Sequence, residues 1–121
     1  MNLDTIGHMS CNPAIGGQAK GHLVKEIDAM GGIMGRLADR AAIHYKRLNT
    51  RKGPAVRSSR AQSDMRVYRT EMQKFLFGVD GLDIKQGSAE TLILDEEGGR
   101  QVCRGVVDQL GVGYRARAVV L

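Results

Sequence analysis

Tryptophan is absent, and aromatic residues make up only 4% of the chain, three tyrosines and two phenylalanines. A surface that holds single-stranded nucleic acid by base stacking needs exposed rings, so the composition argues against that architecture. Cysteine is almost as scarce. Cys11 and Cys103 stand far apart, and the chain opens on no secretory signal. Together these features predict reduced thiols in the cytosol rather than a disulfide framework. No apolar run approaches the ~20 residues of a membrane span. His8, His22 and His44 have no carboxylate or cysteine at ligand spacing, so no metal site is expected. Internal repeats and low-complexity tracts are lacking as well.

What is present is the composition of a soluble globular protein. The 121 residues include 42% hydrophobic and 26% charged side chains. Such a length allows one domain or less, with about two-thirds of the unfolded surface buried. The net charge of +5 is unevenly spread. Lys46, Arg47, Arg51, Lys52, Arg57, Arg60, Arg66 and Arg69 are opposed only by Asp64; eight bases less one acid give +7, leaving −2 for the remainder. A local basic block fits a polyanion-binding face. It equally fits the solvated face of a small basic protein.

The stretch Met9-Ser10-Cys11-Asn12-Pro13-Ala14-Ile15-Gly16-Gly17 is the one most suited to chemistry. Asn is a good helix N-cap and Pro is tolerated at the first helical position, so a helix is expected soon after. Gly16 and Gly17 leave the backbone open to a ligand. A loop entering a helix offers free N–H groups and a positive dipole end, which favour an anion such as pyrophosphate and the thiolate of Cys11. The plainer alternative is a turn beside an inert small side chain.

Periodicity predicts a helix over 18–30, with Leu23, Val24, Ile27 and Met30 on its inner face, ended by Gly31-Gly32. A second helix is expected over 33–41, with Ile33, Met34, Leu37, Ala38 and Ala41 inward. A strand fits 42–48, and a basic loop fits 49–59. Helical period returns over 60–77, through Ala61, Met65, Tyr68, Met72 and Phe75 or Leu76. Short strands are expected over 82–86 and 89–94. A hairpin turn at Glu96-Glu97-Gly98-Gly99 then leads to strands over 101–107 and 112–116. Ala118 to Leu121 has the unbroken apolar character of a buried parallel strand.

Met9 to Gly17, followed by Lys20-Gly21-His22-Leu23-Val24-Lys25-Glu26-Ile27-Asp28-Ala29, closely resembles the glucose-inhibited division protein A family, GidA or MnmG. A second block agrees: Leu48-Asn49, Lys52-Gly53-Pro54-Ala55-Val56-Arg57 and Arg60-Ala61-Gln62. The likeness runs over the whole chain in one register. It implies an α/β fold, a partial FAD-binding domain of Rossmann-like, two-dinucleotide-fold flavoprotein type with a small antiparallel β-meander. The expected division is a helical and basic-loop part over 1–81 and a strand and meander part over 82–121.

The resemblance also implies an activity. Family members use FAD, NADH and methylene-tetrahydrofolate, with a GTPase partner of the MnmE family, to modify carbon 5 of the tRNA wobble uridine. They act as cytoplasmic homodimers. Cys11 matches a functionally important family cysteine, either nucleophile or proton donor. Ser10, Asn12, Gly16 and Gly17 match the loop near the flavin, and Ala89 the position whose backbone contacts the adenine end. Lys52, Arg57 and Arg60 match a basic motif assigned to tRNA or substrate phosphate. Gln18-Ala19 departs from the Ile-Gly common in the family. The strand and GxGxxG turn that precede this region in the family are missing, as is the second family cysteine; Cys103 is expected to serve packing. Met1 is therefore expected to be an internal methionine, and the chain an internal fragment inactive alone. A basic nucleic-acid-binding module without catalysis is the alternative from another class.

Overall fold

The computed structural model describes residues 2–9 and 12–120. They divide into two compact units, Asp4–Asp83 and Ile84–Leu121 with Met1–Leu3.

The first unit has the order β1 (Ala14–Gly16), α1 (Lys20–Ala29), α2 (Met34–Ala41), β2 (Ala42–Leu48), β3 (Ser58–Ser63) and α3 (Met65–Phe77). Its sheet runs β1-β3-β2, antiparallel at both ladders. α1 ends as expected at Gly31-Gly32. The Gly31 N–H donates to the Asp28 carbonyl and the Gly32 N–H to that of Ile27, a Schellman closure. α2 carries the core: Leu37 (0% exposed), Ala38 and Ala41 pack with Tyr68 of α3. Met9, Ile15, Ile33 and Met72 close around them.

Several expectations are corrected. Asn12 and Pro13 precede a strand, not a helix: residues 14–16 pair with β3, and the Ser63 N–H donates to the Pro13 carbonyl. The helix expected from residue 60 begins at Met65, because Ser58–Ser63 is drawn into the sheet with partners on both edges. Ala61 is accordingly buried on β3, not on a helical stripe. Asp64 ends the strand and starts α3. Its carboxylate accepts from the Arg66 and Val67 N–H groups at 2.8 and 3.0 Å, an N-cap. The supposed inner face of α1 is open, with Leu23, Ile27 and Met30 all exposed, Met30 at 81%. Gly21 is the buried residue of this helix, because α1 packs through its small residue rather than its apolar stripe.

The second unit is an antiparallel meander of β4 (Ala89–Glu97), β5 (Arg100–Asp108) and β6 (Gly113–Arg115), turning at Gly98-Gly99. This agrees with the expected meander. The strand expected over 82–86 is not formed, and residues 118–120 are not a buried parallel strand; Val120 is 94% exposed. Neither stretch has a neighbouring strand among the described residues, and a strand without ladder partners leaves its amides unpaired. Leu121 lies outside the described residues. Every ladder observed is antiparallel.

The β5–β6 turn is organised by Asp108. Its Oδ1 accepts from the Leu110 and Val112 N–H groups, both at 2.9 Å, and its Oδ2 from the Tyr114 hydroxyl at 3.1 Å. The Val112 amide chiefly, then Leu110 and Tyr114, hold this carboxyl below its ordinary value. A lowered folded-state pKa stabilises above the unfolded pKa and is lost as pH falls through the folded one. Asp108→Asn is therefore expected to reduce thermal stability at neutral pH and to flatten the acid limb of a Tm-against-pH curve. Asp64→Ala should lower the free energy of unfolding by about 1 kcal/mol, measured by urea titration.

Candidate functional site

The corner between β1 and α1 is built around one carbonyl. Ser59 O on β3 accepts from the Gly17 N–H at 2.9 Å. Gly16 has φ +89°, and a Cβ placed there would overlap that same oxygen. A Cβ on Gly21 would stand 3.0 Å from it. Gly16 is therefore a glycine because β3 passes so close. Gly17, φ +102°, differs: among the described residues nothing lies within 4 Å of the position its Cβ would take, although the residue itself is buried.

The amides at the start of α1 are not free. Lys20 N–H donates to the Gln18 carbonyl and Gly21 N–H to that of Gly17, both at 2.7 Å. Ala19 turns the chain at φ 61° and offers no side-chain cap. The expected amide nest for a pyrophosphate is thus replaced by a self-bonded turn. Behind it, a cavity of about 250 Å³ lies between α1, α2 and the sheet, lined by Gly16, Lys25, Asp28, Asp39, Tyr45 and Ser59 among others. Tyr45 donates its hydroxyl to Asp39 Oδ1 at 3.0 Å. Desolvation first, then this carboxylate, push the phenol up. A cavity of this size lies below the usual range for ligand pockets and is too small for a dinucleotide.

The β2–β3 connection is closed on itself. Asn49, at φ 56°, donates through its side-chain amide to the Val56 carbonyl at 3.0 Å. Lys52 N–H donates to the Asn49 carbonyl, and Arg57 Nε to the Lys52 carbonyl at 3.1 Å. Arg57 is thereby a staple of the loop, while Arg51 and Lys52 are exposed at its tip.

A sequence profile of the family described as "Glucose inhibited division protein A" matches residues 1–121. The chain belongs to that family. It is 53% identical over 121 residues to a tRNA uridine 5-carboxymethylaminomethyl modification enzyme, MnmG, of Geobacter sulfurreducens, and 50% identical to that of Protochlamydia amoebophila. All of this chain and 19% of each relative is covered. Among solved structures it resembles Aquifex aeolicus GidA in the form I crystal, with a TM-score of 0.84 and 50% identity over 97% of this chain and 19% of that one. The chain thus spans about a fifth of the length of the relatives it matches.

Of the expected site residues, the structure joins two pairs: Gly16 and Arg60 are register partners across β1 and β3, and Arg57 is bonded to the Lys52 carbonyl. Asn12 lies just ahead of β1, exposed. Lys52 and Arg57 belong to the loop that follows β2. Ala89 opens β4 in the second unit, exposed and opposite Asp108. Ser10 and Cys11 lie outside the described residues. Cys103 is half-buried on β5 with its thiol 3.6 Å from the Gly105 carbonyl. Among the described residues no three His, Cys, Asp or Glu side chains form a metal-binding group. Sequence reasoning missed Lys46, the cross-strand partner of Arg60; its place in the basic block was visible, but its pairing needed β3 to be a strand. The two glycines can be separated by stability. Gly16→Ala should cost roughly 2–4 kcal/mol in urea unfolding through overlap with Ser59 and a strained φ, and Gly17→Ala only about 1 kcal/mol.

Proposed function

We propose that this chain supplies the β1–α1 corner and basic hairpin of a tRNA-modifying flavoprotein acting on carbon 5 of the wobble uridine. One observation carries the reading: half or more of all 121 positions are identical to enzymes named for that modification. On this reading the chain is a Rossmann-like FAD-binding region, its two parts meeting near residue 81, and works in the cytoplasm. NADH, methylene-tetrahydrofolate, a GTPase of the MnmE family and a second copy complete the machinery. Matching a fifth of the relatives' length, the chain by itself is expected to show no turnover. No helix among the described residues is long and apolar enough to cross a membrane.

The residues at the corner fit one part of FAD and not another. The Cβ position of Gly17 has no neighbour among the described residues, whereas the amides of Gly17, Lys20 and Gly21 are already bonded to protein carbonyls. Asn12, Gly16 and Gly17 would therefore border the flat ring system rather than cradle its pyrophosphate; the family match alone assigns Ser10 to the same loop and Ala89 to a backbone contact with the adenine end. When bound, the flavin supplies redox chemistry that side chains cannot. Cys11 serves as nucleophile or proton donor; a thiolate suits addition to an activated ring carbon. Lys52 and Arg60 hold substrate phosphate, which gives affinity without sequence information. Arg57 fixes the loop that presents Lys52.

A second reading, a basic RNA-binding module without catalysis, is favoured by the ordered hairpin alone. Alkylation separates the two. With FAD added, Cys11 should react with iodoacetamide several-fold more slowly while Cys103 is unchanged, as followed by peptide mass spectrometry. Equal reaction of Cys11 with and without FAD would remove the flavin reading for this chain and leave the binding module.

A further inference from the structure

Strand pairing sets two cations face to face. Lys46 of β2 and Arg60 of β3 are direct register partners, so their Cβ atoms stand about 5 Å apart on one face of the sheet. Alternation puts them on the face opposite to Ile15, Tyr45, Ser59 and Ala61, which line the cavity under α1 and α2. The neighbouring pair on the same face is His44 and Gln62, both exposed. Across β3, Arg60 meets Gly16 and Gln62 meets Ala14. No carboxylate belongs to these rows. The ion pairs found among the described residues involve Arg40, Arg69 and Arg104, not Lys46 or Arg60. Like charges directly opposite destabilise a sheet, and this pair has no acid to offset them.

We propose that Lys46 and Arg60 form a clamp for a single phosphate oxyanion on the face of the β1-β3-β2 sheet that also carries His44 and Gln62. Resting on the reading above, that phosphate belongs to the RNA backbone. The guanidinium offers a planar fork to two oxygens and the ammonium a mobile point charge to the same group. A bound oxyanion also removes the repulsion between the cations, so the free chain is strained where the complex is not. The ordered loop beyond, with Arg51 and Lys52 at its tip, continues the same basic hairpin. A pyrophosphate presents the same chemistry and is the other source that the test distinguishes.

Fluorescence anisotropy of a short RNA hairpin would measure binding by the full chain and by Lys46→Gln, Arg60→Gln, the double variant and Lys74→Gln. The last removes the same charge from the exposed end of α3. Each clamp substitution should weaken binding roughly threefold to tenfold and lower the salt slope by about one, while Lys74→Gln changes little. Because both side chains hold one group, the double variant should lose less than the product of the single losses. Melting temperatures of the free clamp variants should be unchanged or raised, which separates lost contacts from lost folding. Losses that multiply independently, or that match Lys74→Gln, would overturn the clamp. So would a wild-type chain that binds neither the hairpin nor inorganic pyrophosphate. If the substitutions weaken only pyrophosphate, the clamp stands with a cofactor as its source. Protection of Cys11 by FAD is independent of all these results, so the clamp and the flavin reading can fail separately.

Discussion

The carbonyl of Ser59 is the point on which the first unit turns. It takes the Gly17 N–H, leaves no room for a side chain on Gly16 and sits at contact distance from Gly21. Gly16 and Gly17, which look like ligand-approach positions, and Gly21 are therefore tied to one oxygen of the central strand. That oxygen is in place because β3 is paired on both edges, to β1 and to β2. The same pairing delivers Arg60 between Gly16 and Lys46, and delivers Asp64 to the start of α3. Loss of β3 would remove the corner, the basic row and the cap together.

The basic hairpin is closed by its own local hydrogen bonds. Asn49 occupies a left-handed conformation that Asn tolerates better than most residues, and its amide ties the far end of the loop. Arg57 spends its Nε on the Lys52 carbonyl. A cationic loop already closed loses less conformational freedom on meeting a polyanion. One of its arginines thus contributes through shape, and its neighbours through charge.

Helices α1 and α2, strand β2 and the meander were legible because each rests on local signals: the Gly31-Gly32 stop, the spacing of Leu37, Ala38 and Ala41, alternation over 42–48, and the turn at Gly98-Gly99. The miss was β3. Ser58-Ser59-Arg60-Ala61-Gln62-Ser63 has little β propensity and is a strand only because two others flank it. Reading 58–59 as loop and 60–63 as helix carried Arg60 and Ala61 to the wrong element and hid the Lys46 partnership. Asp64 was the available signal, a capping residue and the sole acid of the block. Likewise the apolar stripe of α1 is real in sequence, yet Leu23, Ile27 and Met30 are exposed. Periodicity states that a face is apolar and not what covers it. The family was legible in the long motifs from Met9 and from Leu48, and its profile matches residues 1–121.

Strand β2 is an edge of its sheet, seven residues long, with Ile43 and Tyr45 exposed along it. Such an edge is a template on which another strand can assemble. The charges of Lys46 and Arg47 interrupt it, and they repel a second copy of the same edge. The basic residues of this hairpin therefore act as gatekeepers against self-association as well as carriers of positive charge.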